Sequence, residues 1–128
     1  MWSPSGDERA RSYWPNSEFV DMIGLSVYSF DLWDINNLGK KRGFLSVFAP
    51  KYIRMMGFGK EIIISEMGVT GTEEYKTSWI QDAKMILSRL PMITGVIYFN
   101  SPDMPNTWGE DVPTPDWGVH NLQEIFKL

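Results

Sequence analysis

Cysteine is absent from this chain and histidine occurs once, at His120. Without cysteine there are no disulfides, thiolate zinc sites, iron–sulfur clusters or cysteine nucleophiles. A single histidine excludes multi-histidine metal centres. Positive charge is also scarce: 12 Lys and Arg stand against 16 Asp and Glu, for a net charge of −4. A module that grips phosphate backbones needs a basic patch, so nucleic acid is not an expected partner. No apolar run reaches the roughly 18 residues of a membrane span. The opening residues, Met1-Trp2-Ser3-Pro4-Ser5, lack the basic start and apolar core of a signal peptide.

The chemistry that remains belongs to carboxylates, hydroxyls, amides and aromatic rings. Six Trp are present and aromatics make up 14% of the chain. A Trp is most often a core residue. Several here stand beside Pro, Asp, Asn and Gly, however, and aromatics in loops are candidates for ligand contact. A length of 128 residues is close to that of one ordinary domain.

Residues 3–18 are turn-rich, with Ser3-Pro4-Ser5-Gly6-Asp7 and Tyr13-Trp14-Pro15-Asn16. Residues 19–28 are short, mostly apolar and partly β-branched, which predicts a strand buried on both faces, as in a parallel sheet. The polar stretch 29–42 is expected to be a loop. The apolar spacing of 43–56 predicts a helix, with a break at Ala49-Pro50. Three consecutive Ile make 60–66 a clear strand, and 67–71 an ensuing loop. Thr70 and Glu73 have capping-box spacing before an amphipathic helix over 73–90. Pro91 ends that helix, 93–100 is a third strand, 101–118 a long Pro-rich loop, and 120–128 a short helix. Strands alternating with helices define an α/β fold with a parallel sheet. A doubly wound sheet and part of a (β/α)8 barrel both fit this order.

Glu66 is the sharpest single residue. In parallel α/β folds ligands bind beyond the carboxyl ends of the strands, and Glu66 follows an apolar strand and precedes Met67-Gly68. There it is expected to be partly desolvated and to act as a nucleophile or general base; the plain alternative is a capping or solvent-facing Glu. Tyr28 ends the first strand in the matching position, where its hydroxyl would reach Glu66, or else pack in the core. Asn100 ends the third strand and would bind a ligand hydroxyl, or simply form a turn. Asp31 and Asp34 lack further acidic partners at metal-ligand spacing and read as a solvated loop. Gly57-Phe58-Gly59-Lys60 lacks the spacing and the hydroxyl residue of a phosphate loop, and it precedes a strand.

Taken in order, Trp2-Ser3-Pro4-Ser5, residues 13–28, Ile63-Ile64-Ser65-Glu66-Met67-Gly68, Tyr75-Lys76-Thr77-Ser78-Trp79-Ile80 and Tyr98-Phe99-Asn100 resemble the C-terminal half of family 26 glycoside hydrolases. These are retaining endo-β-glycanases built as (β/α)8 barrels and acting on mannans or β-glucans. The resemblance spans nearly all of residues 1–128 and implies a partial barrel, from the end of strand 5 (Trp2) to helix 8. It implies that Glu66 is the nucleophile, that Tyr28 orients it, and that no cofactor or metal is needed. It further implies a sugar-binding set of Trp2, Trp33, Tyr98, Phe99, Asn100 and Trp108. The family's acid/base Glu, in a His-Glu motif on strand 4, has no counterpart here. The partners implied are therefore a β-linked polysaccharide and the missing N-terminal barrel half, with no membrane. Full-length relatives would be expected to be secreted or periplasmic. A whole barrel needs about 250 residues, so 128 amounts to about half of one. Two other readings stand beside this one: a non-catalytic carbohydrate-binding or polysaccharide-assembly module, and a complete small doubly wound domain. Exposed strand edges argue against the last.

Overall fold

The computed structural model describes residues 1–120. Two short 3-10 turns (Ala10–Tyr13 and Ser17–Phe19) lead into strand β1 (Met22–Ser29). Helices α1 (Asp31–Leu38) and α2 (Phe44–Met56) follow, then β2 (Glu61–Val69), α3 (Glu73–Leu87) and β3 (Ile93–Tyr98). The three strands form one sheet in the order β1-β2-β3, all parallel. Trp2 adds an isolated parallel bridge to Ile23 on the outer side of β1. The expectation of an α/β fold with parallel strands is met. The terminal helix expected over 120–128 lies, beyond His120, outside the described residues.

One face of the sheet is buried. Ile23, Leu25 and Val27 of β1 and Ile62, Ile64, Met67 and Val69 of β2 join the core, against Phe44, Val47, Phe48 and Met55 of α2 and Trp79, Ile80, Ala83 and Leu87 of α3. Those helical positions recur at i, i+3 and i+4, the spacing of a stripe facing a sheet. The helices lock together where Trp79 meets Phe44 edge-on, 5.0 Å between ring centres, and Phe44 stacks on Phe48. The opposite face carries Ser26, Tyr28, Ile63, Ser65 and Glu66, all at least partly exposed. The strands are thus not buried on both faces as the apolar runs predict, because no helix layer among the described residues covers the second face.

Residues 31–38 form a helix where a loop is expected. Its single buried residue is Asp34, while Leu32, Trp33, Ile35 and Leu38 are exposed. The helix is held by polar contacts that leave no periodic apolar signal. Asp34 is fully buried and takes the Arg42 guanidinium at 2.7 Å, the Arg42 backbone N–H and the Ser29 hydroxyl. Gly39 ends the helix at φ 72°, a left-handed conformation that glycine adopts without steric cost. Helix α2 runs unbroken through Pro50. Ser46 and Pro50 both lie on its exposed side, where water can take up the carbonyl that the proline leaves unpaired. The cap of α3 is Thr72, whose hydroxyl accepts the Tyr75 N–H, and not Thr70. Thr70 instead donates to Asp31 at 2.6 Å and accepts the Asp31 N–H, tying the loop after β2 to the start of α1.

Ile64 is fully buried between the sheet and its helices, whereas Leu45 is 55% exposed. Ile64→Ala should lower the unfolding free energy by about 3 kcal/mol. Leu45→Ala should change it by less than about 0.5 kcal/mol. Urea denaturation of both variants checks the contrast.

Candidate active site

The open face of the sheet builds its site from a single irregularity. Leu25 pairs with Ile64, but Ser26 pairs with Glu66, so Ser65 is an extra residue in β2. This bulge leaves Ser65 and Glu66 on the same face. The Ser65 hydroxyl donates to the Leu25 carbonyl at 3.2 Å and meets the Ser3 hydroxyl at 3.0 Å. It has one proton, so Ser3 is the donor to Ser65. This bridge passes over Gly24, where an added Cβ would lie 2.7 Å from Ser3 Oγ and 2.8 Å from Ser65 Oγ.

One step further along the strands the Ser26 hydroxyl donates to Glu66 Oε2 at 3.0 Å. Glu66 is exposed and stands three residues short of the end of β2, so it is neither terminal nor desolvated as its sequence context suggests. Among the described residues Ser26 is its one hydrogen-bond partner. Tyr28 lies one step further again, opposite Gly68, and its ring tilts against Trp117 with centroids 4.9 Å apart. Gly68 makes this possible: a Cβ there would fall 2.8 Å from Tyr28 Cε1 and 3.0 Å from Trp117 Cε3. The expected hydrogen bond from Tyr28 to Glu66 does not form; Ser26 occupies that role. Tyr28 senses Glu66 through its charge. Burial first, then the negative charges of Glu66 and Asp103, push its hydroxyl up to about 12.

The loop after β3 is pinned at several points. Pro102 and Asp116 form an antiparallel bridge, and the Asp103 N–H donates to the Pro115 carbonyl. The Tyr98 hydroxyl donates to the Trp117 carbonyl at 2.8 Å, the Val119 N–H donates to Asn100 Oδ1 at 2.8 Å, and Lys76 Nζ reaches the Gly118 carbonyl at 2.8 Å. The loop thereby brings Trp108, Trp117 and Asp103 to the open face. Trp117 is buried, Trp108 is 36% exposed, and Phe30 sits edge-on to both rings at 5.2 and 5.9 Å.

Of the residues expected at the site, the structure groups Glu66 and Tyr28 with Trp108. The others are placed elsewhere. The Trp2 ring packs with Trp14 and Phe58 at the level where β1 begins. Its partner Ile23 lies three residues below Ser26, or roughly 10 Å along the strand. Trp33 stands on α1 with the Arg42 guanidinium 5.6 Å from its ring centre. Tyr98 faces the helical core, and burial pushes its hydroxyl up to about 12. Asn100 anchors the Val119 N–H, which is the turn role. Phe99 is exposed, its N–H donating to the Met67 carbonyl. Three site residues escaped the sequence: Ser26, Asp103 and Trp117. Ser26 was within reach, because it sits two residues before Tyr28 and so shares its face. The other two depend on how the loop folds back. Among the described residues no group of three or more His, Asp or Glu could hold a metal ion. No protein-family model matches the chain, and no curated protein matches it.

The face therefore presents one exposed carboxylate, a neutral hydroxyl donor to it, a phenol held protonated, and an aromatic corner. Gly68→Ala should force Tyr28 and Trp117 apart and destabilise the protein by about 1–3 kcal/mol. A urea titration followed by tryptophan fluorescence measures this. Tyr28 and Tyr98 have hydroxyls raised above their unfolded-state value near 10. The stability they contribute is complete below about pH 10 and is lost as pH rises toward 12. Burial also raises the Tyr75 hydroxyl, so an absorbance titration should show three of the five tyrosines ionising late, and two in Tyr28→Phe.

Proposed function

We propose that this chain is the nucleophile-bearing part of a retaining β-glycanase of the family 26 type, the C-terminal half of a (β/α)8 barrel. The observation that carries the reading is Glu66, turned by the bulge onto the open face, hydrogen-bonded to Ser26 and adjoined by Tyr28 and the Trp108–Trp117 corner. The sheet order supports it. Trp2, β1, β2 and β3 lie side by side in sequence order, all parallel, with helices on one face. A barrel wall has this order, whereas a doubly wound sheet reverses direction at a switch point.

In this reading Glu66 attacks the anomeric carbon of a β-linked sugar such as a mannosyl or glucosyl unit. The bond to the leaving oxygen breaks and a glycosyl-enzyme forms. A second carboxyl, about 5–5.5 Å away, protonates the leaving oxygen and then activates the water that releases the sugar. Ser26 keeps the attacking carboxylate aimed. The exposed Trp108 ring, backed by the buried Trp117, receives the apolar face of a sugar ring. The second carboxyl comes from the N-terminal barrel half. Asp103 does not fit that role: burial raises its carboxyl, but hydrogen bonds from Trp108, the Met104 N–H, Trp117 and Thr107 together outweigh this and lower it below the usual Asp value. A general acid needs a shift in the opposite direction.

The same observation favours a second reading, a carbohydrate-binding module without hydrolysis, since Glu66 has no free carboxyl partner among the described residues. Adding an upstream barrel half and assaying β-mannan and mixed-linkage β-glucan separates the two. Glycanase activity that Glu66→Gln lowers at least about a thousandfold is the expected result. Oligosaccharide binding without turnover would favour the module, and full activity in Glu66→Gln would sink the nucleophile assignment.

A further inference from the structure

Among the described residues Asp103 is the one side chain that hydrogen-bonds both indole groups of the aromatic corner. Trp108 Nε1–H donates to Asp103 Oδ2 at 2.9 Å, and Trp117 Nε1–H donates to the same oxygen at 3.3 Å. The other oxygen, Oδ1, accepts the Met104 N–H at 2.9 Å. Asp103 itself is fixed by its own N–H, which donates to the Pro115 carbonyl across the Pro102–Asp116 bridge. The two rings then stand 6.0 Å apart at 51°.

Trp108 would not hold this pose unaided. It lies in a turn with Asn106 and Gly109 at positive φ, it is 36% exposed, and its ring contacts Phe30 by an edge alone. A half-exposed ring on such a turn loses rotamer freedom when a ligand stacks on it, which weakens binding. A carboxylate acceptor is about twice as strong as a neutral one and fixes the indole plane in advance. Trp117, in turn, abuts Tyr28, whose hydroxyl lies in the field of Glu66. Contacts thus run from Asp103 through Trp117 to Tyr28, which senses the carboxylate through its charge.

We propose that Asp103 is a positioning residue that presets the exposed Trp108 ring, backed by the buried Trp117, as a stacking surface for a sugar ring beside Glu66. This rests on the glycan reading above, and it adds the residue that governs how tightly a neutral glycan is held.

The test uses the 128-residue chain. Mannohexaose and cellohexaose serve as probes, with the indole N–H resonances followed by NMR. In Asp103→Ala the Trp108 and Trp117 indole resonances should both move upfield. That of Trp79, buried in the core, should stay and report an intact fold. Affinity for the better-bound probe should fall about tenfold, the scale of one lost charged hydrogen bond. Trp108→Phe keeps a ring but deletes the N–H and should also weaken binding. The double variant should bind no more weakly than Asp103→Ala alone, because both changes break one contact. Wild-type affinity in Asp103→Ala, unmoved resonances, or additive losses in the double variant each overturn the proposal. If Asp103→Ala unfolds, Trp108→Phe decides, and wild-type affinity there overturns it. Wild-type protein that binds neither probe removes the glycan reading and this proposal together. Binding that ignores Asp103 removes this proposal alone.

Discussion

The extra residue at Ser65 determines which side chains the open face of the sheet displays. A strand alternates its side chains with a period of two, so one added residue moves everything beyond it to the other face. Ile62 and Ile64 point into the core. Unbroken alternation would send Glu66 and Gly68 after them and would put Met67 and Val69 in the open. The bulge reverses this: Met67 and Val69 are fully buried, and Glu66 and Gly68 share the open face with Ser26 and Tyr28. A carboxylate turned into that core would be costly to bury without a partner. Burial of the apolar pair and exposure of the acid therefore favour the same backbone shift. Ser65 supplies the local compensation, because its hydroxyl satisfies the Leu25 carbonyl at the point where the ladder is disrupted.

Small residues then set the spacing of the site. Gly24 and Gly68 each lie under a contact that crosses the sheet, Ser3 to Ser65 over one and Tyr28 to Trp117 over the other. Between them Ser26 reaches Glu66. The result is three successive layers up the open face: hydroxyls, then carboxylate with hydroxyl, then tilted aromatics. The carboxylate and aromatic layers lie toward the carboxyl ends of the strands, where parallel sheets bind ligands. The helical side shows a second polar cluster at the same level. Ser29, Asp34, Arg42 and Tyr75 bond to one another there and anchor the loops that frame the mouth.

Much of this was legible in the sequence wherever burial left a periodic signal. The Ile62–Ile64 run gave β2, the Trp79–Ala83–Leu87 stripe gave α3, and Glu66 stood out as an acid following an apolar strand. Legibility failed where polar contacts replaced apolar periodicity. Helix α1 buries an aspartate and turns Leu32, Ile35 and Leu38 outward, the inverse of an amphipathic pattern. The bulge is invisible because Met67-Gly68-Val69 reads as a loop, whereas the strand continues through it to Val69. The loop after β3 has turn composition throughout, and its order comes from distant partners such as Lys76 and Tyr98. Trp2 bridges β1 through its backbone, but its ring packs with Trp14 and Phe58, contacts that sequence spacing does not reveal.

Two carboxylates near Tyr28 have opposite surroundings, and this divides their roles. Asp103 accepts two indole N–H groups and a backbone N–H, so its charge is committed to holding rings in place. Glu66 accepts one neutral hydroxyl and is otherwise open, so its charge is available to a ligand. A nucleophile must keep a free lone pair directed at its target, while a positioning group must have none to spare. Burial first, and then both negative charges, keep the Tyr28 phenol protonated, which preserves it as a hydrogen-bond donor. In the proposed reaction the acid must approach from across the open face, where the sheet edges leave room for the rest of a barrel.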